Sequence, residues 1–175
     1  MLAREIGPQL GYWKPVVVSH HMLMSLAKPP ASDADKTART IELKMSKSNP
    51  EYAIFMTDTT EDIKRKMNKA WAPEGETKEN PVLEYCKYIV FESLDRLGIK
   101  EITIDRPEKW GGQMKISSYE DLEKRYAAKE IHPQDLKNTV ADLLDKLVEP
   151  VRKHFEENEE AKKLLQEVQS YQVTR

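Results

Sequence analysis

The chain has 175 residues, 39% hydrophobic and 33% charged, with a formal net charge of −2, which excludes a global basic field and leaves any nucleic-acid partner to a local patch. No apolar run approaches the ~18 residues that span a bilayer, and the first five residues lack the apolar stretch of a secretory signal. The single cysteine, Cys86, excludes an internal disulfide and a cysteine-rich zinc site, so a cytoplasmic protein without structural metal is expected.

Residues 2–10 read as a short helix weakened by Gly7-Pro8. Val16-Val17-Val18, after Lys14-Pro15, is a β-branched apolar run of the kind found in a buried parallel strand. A lone strand cannot satisfy its own backbone groups, so this one reads as the edge of a sheet whose other strands lie elsewhere. A polar stretch from Lys28 to Glu42 reads as a surface loop leading into "KMSKS" at 44–48, with a short strand expected over Tyr52–Met56.

Helical signals then dominate. Thr59 stands three residues before Asp62, a capping box with Asp in place of Glu, and Ile63, Met67, Ala70 and Trp71 share a face behind it. Asn80-Pro81 opens a helix whose stripe is Leu83, Cys86, Val90, Leu94 and Leu97, stopped by Gly98. Glu101–Asp105 and Gln113–Ser117 read as two short strands. Ser118 caps a helix to about Ala127. His132-Pro133 opens the last long helix, with Leu136, Val140, Leu143, Leu147 and Val151 inside and Pro150 expected to kink or end its first segment. The charged tail from Glu156 to Lys163 reads as a solvated helix.

The "KMSKS" run combines two lysines with serine hydroxyls. Such a set suits a polyphosphate whose charge grows during reaction, although a solvated surface loop has the same composition. The wider context is more specific. "KPVVVSHHMLMSL", "KMSKS", "NPVLEYCKYIVF", "RPEKWGG", "SSYEDLEKRYAAKEIHPQDLKNTVADLL" and "VEPVRKHF" together resemble the C-terminal half of the archaeal and eukaryotic-type tyrosyl-tRNA synthetases. The resemblance runs from about Leu10 to Phe155. "RPEKWGG" and "HPQDLKN" favour this branch over the related tryptophanyl one.

The resemblance implies a mostly helical fold with a few short strands. Residues 1–57 would be the C-terminal end of a Rossmann-like catalytic domain, and 58–175 a helical anticodon-binding domain. It implies that Lys44, Met45, Ser46, Lys47 and Ser48 form the loop that meets ATP and stabilises pyrophosphate. Lys44 and Lys47 would be catalytic, Lys47 the main charge donor, and His20 and His21 would line the nucleotide pocket. It implies anticodon contacts from Pro107, Trp110, His132, Asp135 and Lys137. Trp110 replaces the family's frequent Phe as a stacking surface, and Asp135 would accept from a guanine Watson–Crick edge. The expected substrates are ATP with Mg²⁺, tyrosine and tRNA(Tyr), with no metal site in the protein. The family's HIGH-like motif and most of its tyrosine-binding side chains have no counterpart here, so an N-terminal catalytic half is the expected partner. The complete enzyme would be a homodimer, whereas this half is allowed to be a monomer without activity of its own. A stand-alone RNA-binding module and one half of a split enzyme are the alternatives. Lys64, Arg65, Lys66 and Lys69 read as a solvated basic face able to touch a tRNA backbone.

Overall fold

The computed structural model describes residues 2–30, 43–45 and 49–171. Its elements are mostly helices. Helix α1 (Leu2–Gln9) buries no side chain. Helix α2 (Thr60–Lys69) is followed by a helical stretch that begins as α3 (Pro81–Tyr85), widens into a π-helical turn over Cys86–Val90, tightens over Phe91–Ser93 and closes as α4 (Leu94–Leu97). Strands β1 (Ile102–Ile104) and β2 (Met114–Ile116) make one antiparallel pair in the register Ile102↔Ile116 and Ile104↔Met114. Helices α5 (Tyr119–Ala127), α6 (Pro133–Glu157) and α7 (Glu159–Ser170) complete the chain.

The helix starts follow their local chemistry. The Thr59 hydroxyl accepts from Asp62 N at 3.1 Å while the Asp62 carboxylate takes the Thr59 N–H and hydroxyl. The Arg65 guanidinium and this cap hold the Asp62 carboxyl down to about 2. Asn80 accepts from Val82 N and Leu83 N and donates to Glu76 O, so a buried amide is satisfied on both sides. Ser118 and Asn158 cap α5 and α7 in the same manner. Gly98 ends α4 at φ +67°, a conformation that an L side chain resists.

One core gathers these elements. Ile63 and Met67 of α2, Leu83, Cys86 and Val90 of the next helical stretch, Ile102, Ile104 and Ile116 of the hairpin, and Leu136 and Val140 of α6 all meet in it. Helix α2 lies along α6, and α6 also backs β1. A two-stranded sheet needs such backing to persist.

Four expectations are corrected. Val16–Val18 forms no strand and is exposed, Val16 at 88%. Among the described residues no neighbouring strand receives its peptide groups, and an apolar run without a sheet has no face to bury. The Tyr52–Met56 segment holds only the end of a 3₁₀ turn, Pro50–Tyr52, and then irregular chain, because its backbone is tied to Asp58 and Leu26 instead of to a strand. The 81–97 helix is not regularly α, since a π-helical turn over Cys86–Val90 and a 3₁₀ turn over Phe91–Ser93 interrupt its geometry, and Tyr85 is buried in the core beside Cys86. Helix α6 runs through Pro150 to Glu157, so Pro150 does not end its first segment. Pro150 and Lys146 are both exposed, so the carbonyl that loses its N–H donor can be solvated. The inner stripe of α6 holds at Leu136, Val140 and Leu143, after which Leu144 and Val148 are buried more deeply than Leu147 and Val151.

The basic run of α2 is also revised at one position. Lys66 is 3% exposed. Its ammonium donates to Asp58 Oδ1 and Oδ2 at 2.8 and 2.6 Å and to Ala53 O at 2.9 Å, beneath the Phe55 ring. Arg65 and Lys69 pair with Glu51, and Lys64 with Asp142. Truncating one partner of a buried pair leaves the other charge uncompensated, at a cost of about 3–5 kcal/mol. Lys66→Ala is therefore expected to lower unfolding free energy by an amount of that order in urea titration, whereas Lys64→Ala should change it by less than about 1 kcal/mol.

Candidate functional site

Two places collect the residues that carry chemistry. The first is the root of the "KMSKS" loop. Ser46, Lys47 and Ser48 lie outside the described residues, but Lys44 and Met45 do not. Lys44 is exposed and makes an antiparallel bridge with Met24, while Ser25 N donates to Leu43 O at 2.8 Å. Leu26 N donates to Tyr52 O at 2.9 Å, and Trp71 N donates to Leu26 O at 2.9 Å. A single short segment, Met24–Leu26, thus holds the chain on both sides of the signature.

That segment is held in turn by Glu84 of α3, which lies within the "NPVLEYCKYIVF" block but to which the sequence alone assigns no role of its own. Its two carboxylate oxygens accept separately from Met24 N and from His21 Nε2. The His21 ring also stacks on Tyr88, with centroids 3.9 Å apart and planes 12° from parallel. His20 Nδ1–H donates to His21 O at 2.8 Å. The two histidines thus stand at the loop root, with one face and one nitrogen of His21 engaged by the helical unit. The Tyr85 hydroxyl reaches Met45 Sδ at 4.0 Å.

The second place is a cavity of about 400 Å³ formed where three distant stretches of chain converge. Pro107 and Trp110 come from the β1–β2 connection, His132 and Asp135 from the start of α6, and Glu74 from the loop after α2. Four of the five residues expected to meet an anticodon are therefore neighbours. The fifth, Lys137, does not line the cavity. Its ammonium donates to Asn68 O at 3.2 Å, and partial burial lowers its pKa.

Each wall has a local cause. Trp110 ends a tight 3₁₀ turn, Glu108–Trp110, and is 68% exposed, with its N–H bonded to Pro107 O at 2.8 Å. Gly111 at φ +96° and Gly112 at φ +66° let the chain reverse immediately after the indole. His132 is the N-cap of α6, its Nδ1 accepting from Gln134 N at 3.1 Å. An accepting Nδ1 places the neutral ring's proton on Nε2. Asp135 sits in the first turn of α6, where a carboxylate is favoured by the free N–H groups. Among the described residues its carboxylate has no hydrogen bond or ion pair. The Tyr126 hydroxyl donates to Ala72 O and Pro73 O, which fixes the stretch that carries Glu74.

The arrangement can stack a flat ring on Trp110 and offer acceptors and an imidazole N–H to its edge. Arg106 and Lys129 offset the acids that line the same space. Glu74, Arg106, Lys129 and Glu130 had no individual signal in the sequence, since single charges on loops look alike until the loops meet. Among the described residues no group of three or more His, Cys, Asp or Glu could hold a metal ion, and no helix is long and apolar enough to cross a membrane.

Comparison with known proteins places this geometry in context. Residues 2–149 match the family described as tRNA synthetases class I (W and Y). The chain is 40% identical over 182 residues to a tyrosine--tRNA ligase of Thermococcus sibiricus and 42% identical over 182 residues to one of Pyrococcus furiosus, covering 97% of this chain and 48% of each relative. A crystal structure of tyrosyl-tRNA synthetase complexed with L-tyrosine from Pyrococcus horikoshii is similar at a TM-score of 0.76 and 35% identity, over 95% of this chain and 47% of that one. The chain spans about half the length of the relatives it matches.

The Glu84 clamp is open to measurement. Glu84→Ala removes the acceptor of a part-buried N–H, worth about 1–3 kcal/mol. Amide exchange at Met24 and Ser25 is expected to accelerate, with the Trp110 turn unchanged.

Proposed function

Because this chain belongs to the class I tRNA synthetases of the tryptophan and tyrosine branch, we propose that it serves the ligation of tyrosine to tRNA(Tyr), with the Trp110–Asp135 cavity receiving an unpaired base of the anticodon. One observation carries this reading: Pro107, Trp110, His132 and Asp135, remote in sequence, share one open cavity. An aromatic face beside a carboxylate suits guanine, whose N1–H and N2–H₂ both donate to an acid. The indole would supply stacking worth about 1–3 kcal/mol. His132 Nε2–H would meet base or phosphate. Lys137, two residues after Asp135, would act on the backbone after leaving Asn68.

The loop at 44–48 serves the other end of the reaction. Lys44 and Lys47 would bind the phosphates of ATP and neutralise the pyrophosphate as tyrosine attacks the α-phosphate, with Lys47 the main cation. Mg²⁺ would arrive with ATP. His20 and the outer face of His21 would border the nucleotide. Residues 1–57 would then complete a Rossmann-like nucleotide-binding domain, and 58–175 would be the anticodon-binding unit. The exposed Val16–Val18 run supports this division, since it offers a β-branched edge to a sheet supplied by an N-terminal catalytic half. That half would bring the tyrosine pocket and the homodimer contact. The same exposed edge favours this reading over a stand-alone RNA-binding module, which would have no use for it.

Two measurements test the proposal. Binding of a tRNA(Tyr) anticodon stem-loop should exceed that of an anticodon-swapped control, and Asp135→Ala should abolish the difference. Equal binding of both RNAs by the folded wild-type chain would refute the cavity's role. The chain alone is expected to show no tyrosine-dependent ATP–pyrophosphate exchange, and addition of the N-terminal half should restore it.

A further inference from the structure

We propose that Arg106 is a positioning residue that sets the width of the Trp110–His132 cavity by tying its two walls to one planar cation; the role rests on the base-binding reading above. Arg106 follows β1 closely, so its backbone leaves the firm end of the hairpin. Its Nε–H donates to Gly112 O at 3.0 Å and its Nη1–H donates to Glu130 O at 2.8 Å. Gly112 lies two residues after Trp110, and Glu130 lies two residues before His132. The guanidinium therefore spans the cavity from the stacking wall to the histidine wall. It is also seated against Gly111, where an added Cβ would come within 3.1 Å of Nη2.

Arginine suits this task for a geometric reason. Its donors diverge at fixed angles in one plane, so two carbonyls held by it are held at a fixed separation. A lysine ammonium is a point donor on a flexible stem and can serve one wall at a time. Among the described residues Arg106 has no carboxylate partner, so its bonds are spent on backbone positions and not on an ion pair. The Trp110 turn has few other ties to the helical side. Its own bonds, Trp110 N to Pro107 O, Gly111 N to Glu108 O and Gly112 N to Pro107 O, are internal to the turn.

A direct phosphate contact is the competing role, and salt dependence separates the two. The experiment measures affinity of the chain for the tRNA(Tyr) anticodon stem-loop over a range of salt, for wild type, Arg106→Lys, Arg106→Ala, Trp110→Ala and the Arg106→Ala/Trp110→Ala double variant. Amide exchange at Trp110, Gly111 and Gly112 is followed in the free proteins. Stacking of about 1–3 kcal/mol makes the Trp110→Ala loss roughly 5- to 150-fold. Arg106→Lys and Arg106→Ala should both weaken binding and speed exchange in the turn. The double variant should bind no more weakly than the weaker-binding of the two single variants, and the salt slope should stay at the wild-type value. The role is overturned if turn exchange is unchanged, or if the losses add. It is likewise overturned if Arg106→Lys binds as wild type while Arg106→Ala lowers the slope by about 0.7, the mark of one lost single-strand phosphate contact. If Arg106→Ala does not fold, Arg106→Lys paired with Trp110→Ala gives the same cycle. If Trp110→Ala leaves binding intact, the base-binding reading fails, and with it the effect of Arg106 on binding. Faster turn exchange in the Arg106 variants then identifies that failure as one of the cavity's function and not of the brace.

Discussion

The buried pair of Lys66 and Asp58 is the interaction around which the rest is arranged. An ammonium withdrawn from water must be given several acceptors, and this one has two carboxylate oxygens and the Ala53 carbonyl. Those acceptors lie on the chain that leaves the "KMSKS" loop. The pair thus joins that chain to α2. Asp58 extends the connection, because its backbone carbonyl accepts from Arg152 of α6 at 2.9 Å. Arg152 also pairs with Asp145, which accepts from the Thr60 hydroxyl at the head of α2. Loop exit, α2 and α6 are therefore one polar cluster set beside the apolar core.

Helix α6 links this cluster to the cavity. Its first turn supplies His132 and Asp135, and Asp145 stands ten residues further along. At 1.5 Å per residue that is about 15 Å of continuous helix. The same helix thus borders the Trp110–His132 cavity and holds the chain next to the "KMSKS" signature. The loop root has a second tie through Glu84 to α3, which shares the core with α6.

Charge is used locally and not as a field. The net charge is small, and the basic residues of α2 are each paired with an acid. A run of four cations that looks like an RNA-facing stripe in sequence is divided in space among Glu51, Asp58, Asp62 and Asp142. The cavity follows the same rule, since its acids and bases face one space and its shape comes from backbone turns.

Much of this was legible in the sequence wherever cause and effect lie within a few residues. The caps at Thr59, Asn80 and Ser118, the stop at Gly98 and the hairpin strands depend on hydrogen bonds and dihedrals that a short window contains. The family blocks named Trp110, His132 and Asp135 individually. Tertiary structure alone decided what a window cannot hold. It put Lys66 inside and Lys64 outside, left Val16–Val18 bare, carried α6 through Pro150, and brought Glu74, Arg106 and Glu130 to the side of Trp110. At Pro150 solvent takes the freed carbonyl, and the physical reason is common to the other three. Burial, and the partner that makes burial tolerable, belong to segments tens of residues apart, and a residue's own neighbours in sequence do not determine which distant carbonyl, carboxylate or strand will be there to receive it.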